Sequence, residues 1–359
     1  MHRDRCPFLR TRWQDTRVDR AQPPHPLLFA GHASCSCGLN CPAQARRLLS
    51  LGPVVEGGVS RAKKHRGMAE KLTLEEAWRV RQANFPPVIG FDYPLSTLCV
   101  SLTGEHCELD CAHCGGQYLK HMVPVREADP QGATSCLISG GCDHRGRVAV
   151  TRHLDMVEQL CPGRIMNWHV GLIAREEAEA IAPYVDIISL DFVGDNETIK
   201  EVYGLEATVE DYVSTYDLLR GYATVVPHIT VGLRGGRISG EYRALDILEE
   251  RGADALTFIV LIPTPGTRYA DREPPPPEEV AELLVEARLR FPRVPIQLGC
   301  MRPRGEYRDR LDPMAVQAGV NVIVSPSRTA VALAEELGLE VDRGEECCAV
   351  RLKRKGRDE

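Results

Sequence analysis

No apolar run in the 359-residue chain reaches the roughly 18 residues that a membrane-spanning helix requires. No secretory leader is expected either. PLLFAGHA, the apolar stretch nearest the start, is too short and sits too late. Without an export signal, the 14 cysteines read as metal ligands and buried thiols rather than a disulfide framework. The cytoplasm is the expected compartment. No internal repeat is evident. The body also lacks a basic surplus. Residues 1–67 carry 12 Lys/Arg against 4 Asp/Glu, so a chain of formal charge −6 leaves 68–359 at −14. An acidic body does not suit a nucleic-acid-binding surface. The basic LKRKGR near the end reads as a solvated tail.

What is present is an α/β pattern. Apolar strand-like runs are expected at 97–102, 134–139, 167–172, 186–191, 224–231, 255–262, 295–299 and 320–324. Amphipathic stretches lie between several of them, at 153–160, 175–182, 209–220, 241–250, 277–291 and 328–337. Strands alternating with helices imply βα units and a parallel sheet, and eight strands predict a complete or nearly complete TIM-like (β/α) barrel. An open doubly wound sheet is the alternative. Residues 1–67, rich in Arg and Pro and without periodicity, read as a disordered or mistranslated N-terminal extension. Its Cys35, Cys37 and Cys41 raise a second metal site. Residues 68–95 form a lead-in, with Thr73 capping a helix over LEEAWRVRQA. The barrel is expected over 96–330, and 331–359 forms a C-terminal segment.

The chemistry concentrates in CVSLTGEHCELDCAHCGG. Cys107, Cys111 and Cys114 are spaced C-x3-C-x2-C and follow the first body strand, which places them at the mouth of a barrel. Three soft thiolates from one loop suit three irons of a [4Fe–4S] cluster and leave the fourth iron open. Zinc is the competing reading, but structural zinc usually draws on two separated ligand pairs. Gly104, Gly115 and Gly116 let the backbone turn tightly around such a site. Cys142 and Cys300 end two later strands. Cys347 and Cys348 form a pair that can fold over the mouth, so these four are candidate ligands of an auxiliary cluster. Cys99, Cys136 and Cys161 read as buried small apolar residues. His169 and His228 sit at strand positions, either inside the barrel or as satisfied core residues. Arg302 and Arg304 offer forks for a carboxylate or an acidic carrier.

This loop resembles the radical S-adenosylmethionine enzymes. The resemblance implies that the amino and carboxylate groups of S-adenosylmethionine chelate the open iron, and that reductive cleavage yields a 5′-deoxyadenosyl radical. It places His113 beside the adenine and the backbone of Ser139, Gly140 and Gly141 against the cofactor ammonium. Cys142 stands where the family has an acid. Asp191 is matched to the ribose or a substrate, Gly236, Ile238 and Gly240 to a G-x-I-x-G segment near the adenine, and Ile262 to an apolar wall. The string from TGEHCELDCAHCGG to the late Cys-Cys is similar to the biotin-synthase-like group that includes two-component lipoyl synthase subunits. That similarity implies sulfur insertion into an octanoyl chain on a carrier protein, a ferredoxin- or flavodoxin-type electron donor, a second radical subunit and a second [4Fe–4S] cluster. A rearrangement, a methylthiolation, or a non-catalytic cluster-bearing scaffold are the alternatives.

Overall fold

The computed structural model describes residues 73–354. The expected extension at 1–67, with Cys35, Cys37 and Cys41, lies outside the described residues. Helix α1 (Leu74–Asn84) starts where the sequence puts it. Thr73 Oγ1 accepts from Glu76 N at 3.2 Å, and the Glu76 carboxylate accepts from Thr73 N at 2.8 Å. Such a reciprocal cap contributes about 1 kcal/mol.

Among the described residues, eleven strands form one sheet. They are β1 (Val88–Asp92), β2 (Thr97–Ser101), β3 (Val123–Pro124), β4 (Ser135–Ser139), β5 (Ile165–His169), β6 (Ile187–Asp191), β7 (Thr224–Val231), β8 (Leu256–Val260), β9 (Ile296–Leu298), β10 (Val322–Val324) and β11 (Glu340–Gly344). Their order is β11-β1-β10-β9-β8-β7-β6-β5-β4-β2-β3, and every pairing is parallel. The eight expected strands are β2 and β4 through β10 in unbroken succession, the order of a (β/α) barrel. The sheet is curled but open, since its ends, β11 and β3, are not paired.

The connecting helices are α2 (Leu154–Leu160), α3 (Arg175–Ile181), α4 (Asn196–Thr198, continued by a π-helical turn to Tyr203), α5 (Val209–Leu219), α6 (Glu241–Arg251), α7 (Pro277–Arg290), α8 (Glu306–Gln317) and α9 (Arg328–Glu336), with a short α10 (Arg351–Arg354) at the end. No described helix is long and apolar enough to cross a membrane.

Period-two alternation divides each strand between two environments. Leu98, Val100, Cys136, Ile138, Met166, Trp168, Ile188, Leu190 and Phe258 join the helices in the main apolar core. The alternate residues Thr97, Cys99, Ser135, Ser139, Asn167, His169, Ser189, Asp191, His228 and Thr257 are mostly polar. Barrel interiors packed for stability alone are filled by bulky branched residues. Here a cavity of about 360 Å³ occupies the interior instead.

The chain after β11 closes the end of the barrel opposite the cysteine loop. The Glu346 carboxylate accepts from the hydroxyls of Thr97, Thr134 and Ser135, all at strand starts. Ala349 packs on Ile187, Val226 and Ala255. Below this plug, Arg351 is paired with Asp92 and Asp342. The expected fold of Cys347 and Cys348 over the mouth is therefore corrected. β11 runs parallel to β1, with Gly344 opposite Asp92, and delivers the pair to the floor.

Candidate functional site

The loop from Thr103 to Gly116 leaves β2 and is packed against the turn after β4. Thr103 Oγ1 donates to His106 O at 2.8 Å and accepts from Gly141 N at 2.7 Å. Glu108 N donates to Cys142 O at 2.9 Å. The approach is so close that a Cβ on Gly141 would lie 2.0 Å from His106 O and 2.6 Å from Cys107 Cα. Only glycine fits there. Gly115 and Gly116, at φ +47° and +71°, turn the chain away immediately after Cys114.

Cys107, Cys111 and Cys114 all line the central cavity. A hydrogen bond between Cys111 and Cys114 pushes the Cys111 thiol up and pulls Cys114 down to about 4, with His113 adding to the fall at Cys114. Among the described residues no three Cys, His or acidic side chains converge on the position of a single ion. Zinc needs its ligands gathered on one centre, whereas each thiolate of a [4Fe–4S] site takes a different iron. The donor set and its spacing fit the cluster.

Ser139, Gly140, Gly141, His113, Asp191 and Ile262 line the same cavity. Ser139 Oγ donates to His169 O at 3.1 Å. The His113 ring meets the edges of Tyr203 at 5.7 Å and Tyr118 at 6.3 Å between centroids, and its Nδ1 is buried with no partner. Such an orphaned group awaits a ligand or water. Asp191 Oδ2 lies 3.9 Å from His169 Nδ1. Gly236, Ile238 and Gly240 are not among the lining residues. A Cβ on Gly236 would meet Glu273 O at 2.0 Å, one on Gly240 would meet Asp195 Cβ at 2.5 Å, and Ile238 packs on the core. Close packing of loops accounts for this segment. The neighbouring Glu241 is buried and accepts from Gly232 N and Ser239 N, each at 2.7 Å.

Cys142, Cys300, Cys347 and Cys348 line the cavity as well, but at different places. Cys142 stands with the cysteine loop. Burial, reinforced by Cys107, pushes its thiol up to about 12. On the floor, Cys347 and Cys348 have their sulfurs 3.8 Å apart, and Cys348 Sγ lies 3.4 Å from His228 Nε2. His228 Nδ1 must donate to the Val226 carbonyl at 3.0 Å, so Nε2 is the acceptor facing that thiol. The His228 ring stands 5.4 Å from His169. Burial lowers both imidazoles below their ordinary range.

Several lining residues escaped the sequence reading. Cys99, read as a buried apolar residue, is half-buried and faces the cavity. Its alternation with Thr97 and Ser101 is the signal that finds it. Tyr118, Tyr203, Tyr212 and Asn167 line the cavity too. Asn167 Nδ2 is buried with no partner, although Oδ1 accepts from Ser189 Oγ. Arg302 is not a docking fork. It is fully buried, paired twice with Asp312 at 2.8 Å, and donates to the carbonyls of Gly299 and Val324.

Known structures share this fold. The chain aligns over 75% of its length with 89% of a crystal structure of methylornithine synthase (PylB), at TM-score 0.54 and 16% identity. It aligns over 78% of its length with 70% of HydG, a maturase of the [FeFe]-hydrogenase, at TM-score 0.56 and 15% identity. In sequence it is 21% identical over 271 residues to a biotin synthase of Ruthia magnifica subsp. Calyptogena magnifica, a match spanning 70% of this chain and 81% of that protein. At these identities the likeness shows the fold, a parallel α/β barrel. No protein-family model matches the chain.

Proposed function

We propose that the protein cleaves S-adenosylmethionine reductively at a [4Fe–4S] cluster held by Cys107, Cys111 and Cys114. The observation that carries this reading is the convergence of three thiols on one closed-floored cavity at the mouth of a parallel barrel. When bound, the cluster supplies the electron that converts the cofactor to methionine and a 5′-deoxyadenosyl radical able to remove hydrogen from unactivated carbon. The chain's own task is to bind, orient and exclude water. Ser139, Gly140 and Gly141 present carbonyls to the cofactor ammonium, Asp191 accepts from the ribose hydroxyls, and His113 and Ile262 flank the adenine. The plug around Glu346 and Ala349 shuts water out from below.

We read the reaction as carbon–sulfur bond formation on an octanoyl chain carried by a protein. Two observations support it. One is the similarity to a biotin synthase, and the other is the line of thiols, Cys99, Cys300, Cys347 and Cys348, along the cavity wall and floor. These thiols offer ligands for a second, sulfur-donating [4Fe–4S] cluster. A ferredoxin- or flavodoxin-type donor and a second radical subunit complete the proposal.

The test is anaerobic reconstitution with iron and sulfide, followed by dithionite and S-adenosylmethionine. Formation of 5′-deoxyadenosine, abolished by Cys111→Ala, is expected, and its absence in the reconstituted wild type sinks the reading. Iron of about eight per chain, with mass gain by an octanoylated carrier, supports sulfur insertion, whereas about four irons rejects the second cluster.

A further inference from the structure

Cys142 is separated from the other non-loop thiols by where its backbone is anchored. Its carbonyl accepts from Glu108 N at 2.9 Å and from Cys107 Sγ at 3.8 Å. On its other side a two-residue bridge pairs it with Val148, and Asp143 N donates to Arg147 O at 2.9 Å. Residue 142 is thus clamped between a small hairpin and the cysteine loop, one residue from the contact where Gly141 touches Cys107. Cys142 lines the same cavity as the three loop cysteines, so it stands with them at the mouth of the barrel. A three-thiolate cluster has one iron without a protein ligand, and soft thiolate is the ligand that iron prefers.

We propose that Cys142 is a displaceable fourth ligand, which caps the open iron until S-adenosylmethionine arrives. On cluster assembly the Cys142 thiol loses its proton and its sulfur bonds the fourth iron. On cofactor binding that iron–sulfur bond breaks, the cofactor's amino nitrogen and carboxylate oxygen bond the iron, and the Cys142 thiolate takes up a proton. The exchange is ligand substitution, and no electron is transferred. An iron left open to water is lost readily on oxidation, so the cap protects the resting cluster, while its release requires the cofactor. This inference rests on the three-cysteine cluster proposed above.

The experiment compares reconstituted wild type with Cys142→Ala and Cys142→Ser, each checked by circular dichroism. All three are expected to bind the same iron at the loop site. Brief ferricyanide oxidation without cofactor should convert the variants to a three-iron cluster, seen by electron paramagnetic resonance, at least several-fold faster than wild type. In unmutated protein, alkylation of Cys142 read by peptide mass spectrometry should be low in the loaded form and rise several-fold on adding S-adenosylmethionine. Equal conversion rates, or alkylation that is unchanged or lower with cofactor, overturn the proposal while leaving the cluster reading intact. Failure of wild type to hold any cluster would instead remove the reading beneath it.

Discussion

At Gly141 a single hydrogen atom separates a working loop from a clash. A Cβ there would stand 2.0 Å from a carbonyl oxygen and 2.6 Å from Cys107 Cα. Both are backbone atoms and cannot rotate away. Gly141→Ala should therefore displace the cysteine loop, lowering stability by about 1–3 kcal/mol and reducing iron bound after reconstitution. Retention of full iron with an unchanged melting temperature would contradict the packing described. The two cavity-lining imidazoles give a prediction in pH. His169 and His228 have folded pKa values below the ordinary 6.5, chiefly because burial disfavours their charged form. As pH falls through 6.5 the unfolded chain binds more protons than the folded one, and stability drops. Above 6.5 these groups contribute no slope. Melting of the apoprotein across a pH series should show this acid-side fall, and His169→Asn with His228→Asn should flatten it. The cysteine spacing made the loop legible from sequence alone. The contact between Gly141 and Cys107 was not, because it joins residues 34 apart in the chain across two strands.

Among elements, long periodic strands were the easiest to read. β7 lies at 224–231, as its apolar run indicates, whereas β5 starts and ends earlier than expected, at 165–169. The expectation followed NWHVGL, but the ladder to β4 already begins at Ile165, whose NH is drawn to Thr134 O. Helix α8 was not anticipated, since Pro313 sits inside it and four of its first five residues are polar or charged. Its role is electrostatic. Asp312 from α8 receives both arms of Arg302, and accepts from Ser327 N at the start of α9. One buried pair thus fixes the chain after β9 to two helices and to the end of β10. Breaking a fully buried ion pair leaves an uncompensated charge and costs about 3–5 kcal/mol. Arg302→Met should lose that much in denaturant unfolding, and the double change with Asp312→Leu should recover a large part of it. A loss below about 1 kcal/mol would show that the pair does not hold these elements. Exposed pairs such as Arg79–Glu75 are worth far less.

For the molecule as a whole, the mouth and the floor are built from different parts of the chain. The mouth, with its loop, follows from strand order and could be placed by counting strands. The floor could not. β1 and β11 are short, unannounced by long apolar runs, and pair with each other across about 250 residues. That is why Cys347 and Cys348 were expected over the mouth and are found beneath the barrel. The separation predicts divided consequences. Cys347→Ser with Cys348→Ser should leave 5′-deoxyadenosine formation within about two-fold of wild type, while stopping product on an octanoylated carrier. If the double variant instead abolishes cofactor cleavage, the floor pair is part of the radical-generating site and the division is wrong.

The Glu346 plug also has a consequence for the order in which the molecule assembles. Its bond to Thr97 joins residues 249 apart, and β1 must accept β11 before the plug is aligned. Contacts of such long range carry the largest loop-closure cost and form after local βα units have condensed. The cysteine loop and its neighbour at 139–142 are separated by far less chain, so their contact carries the smaller loop-closure cost. A barrel closed by its longest-range contacts is expected to seal its floor last, after the cysteine loop has its shape.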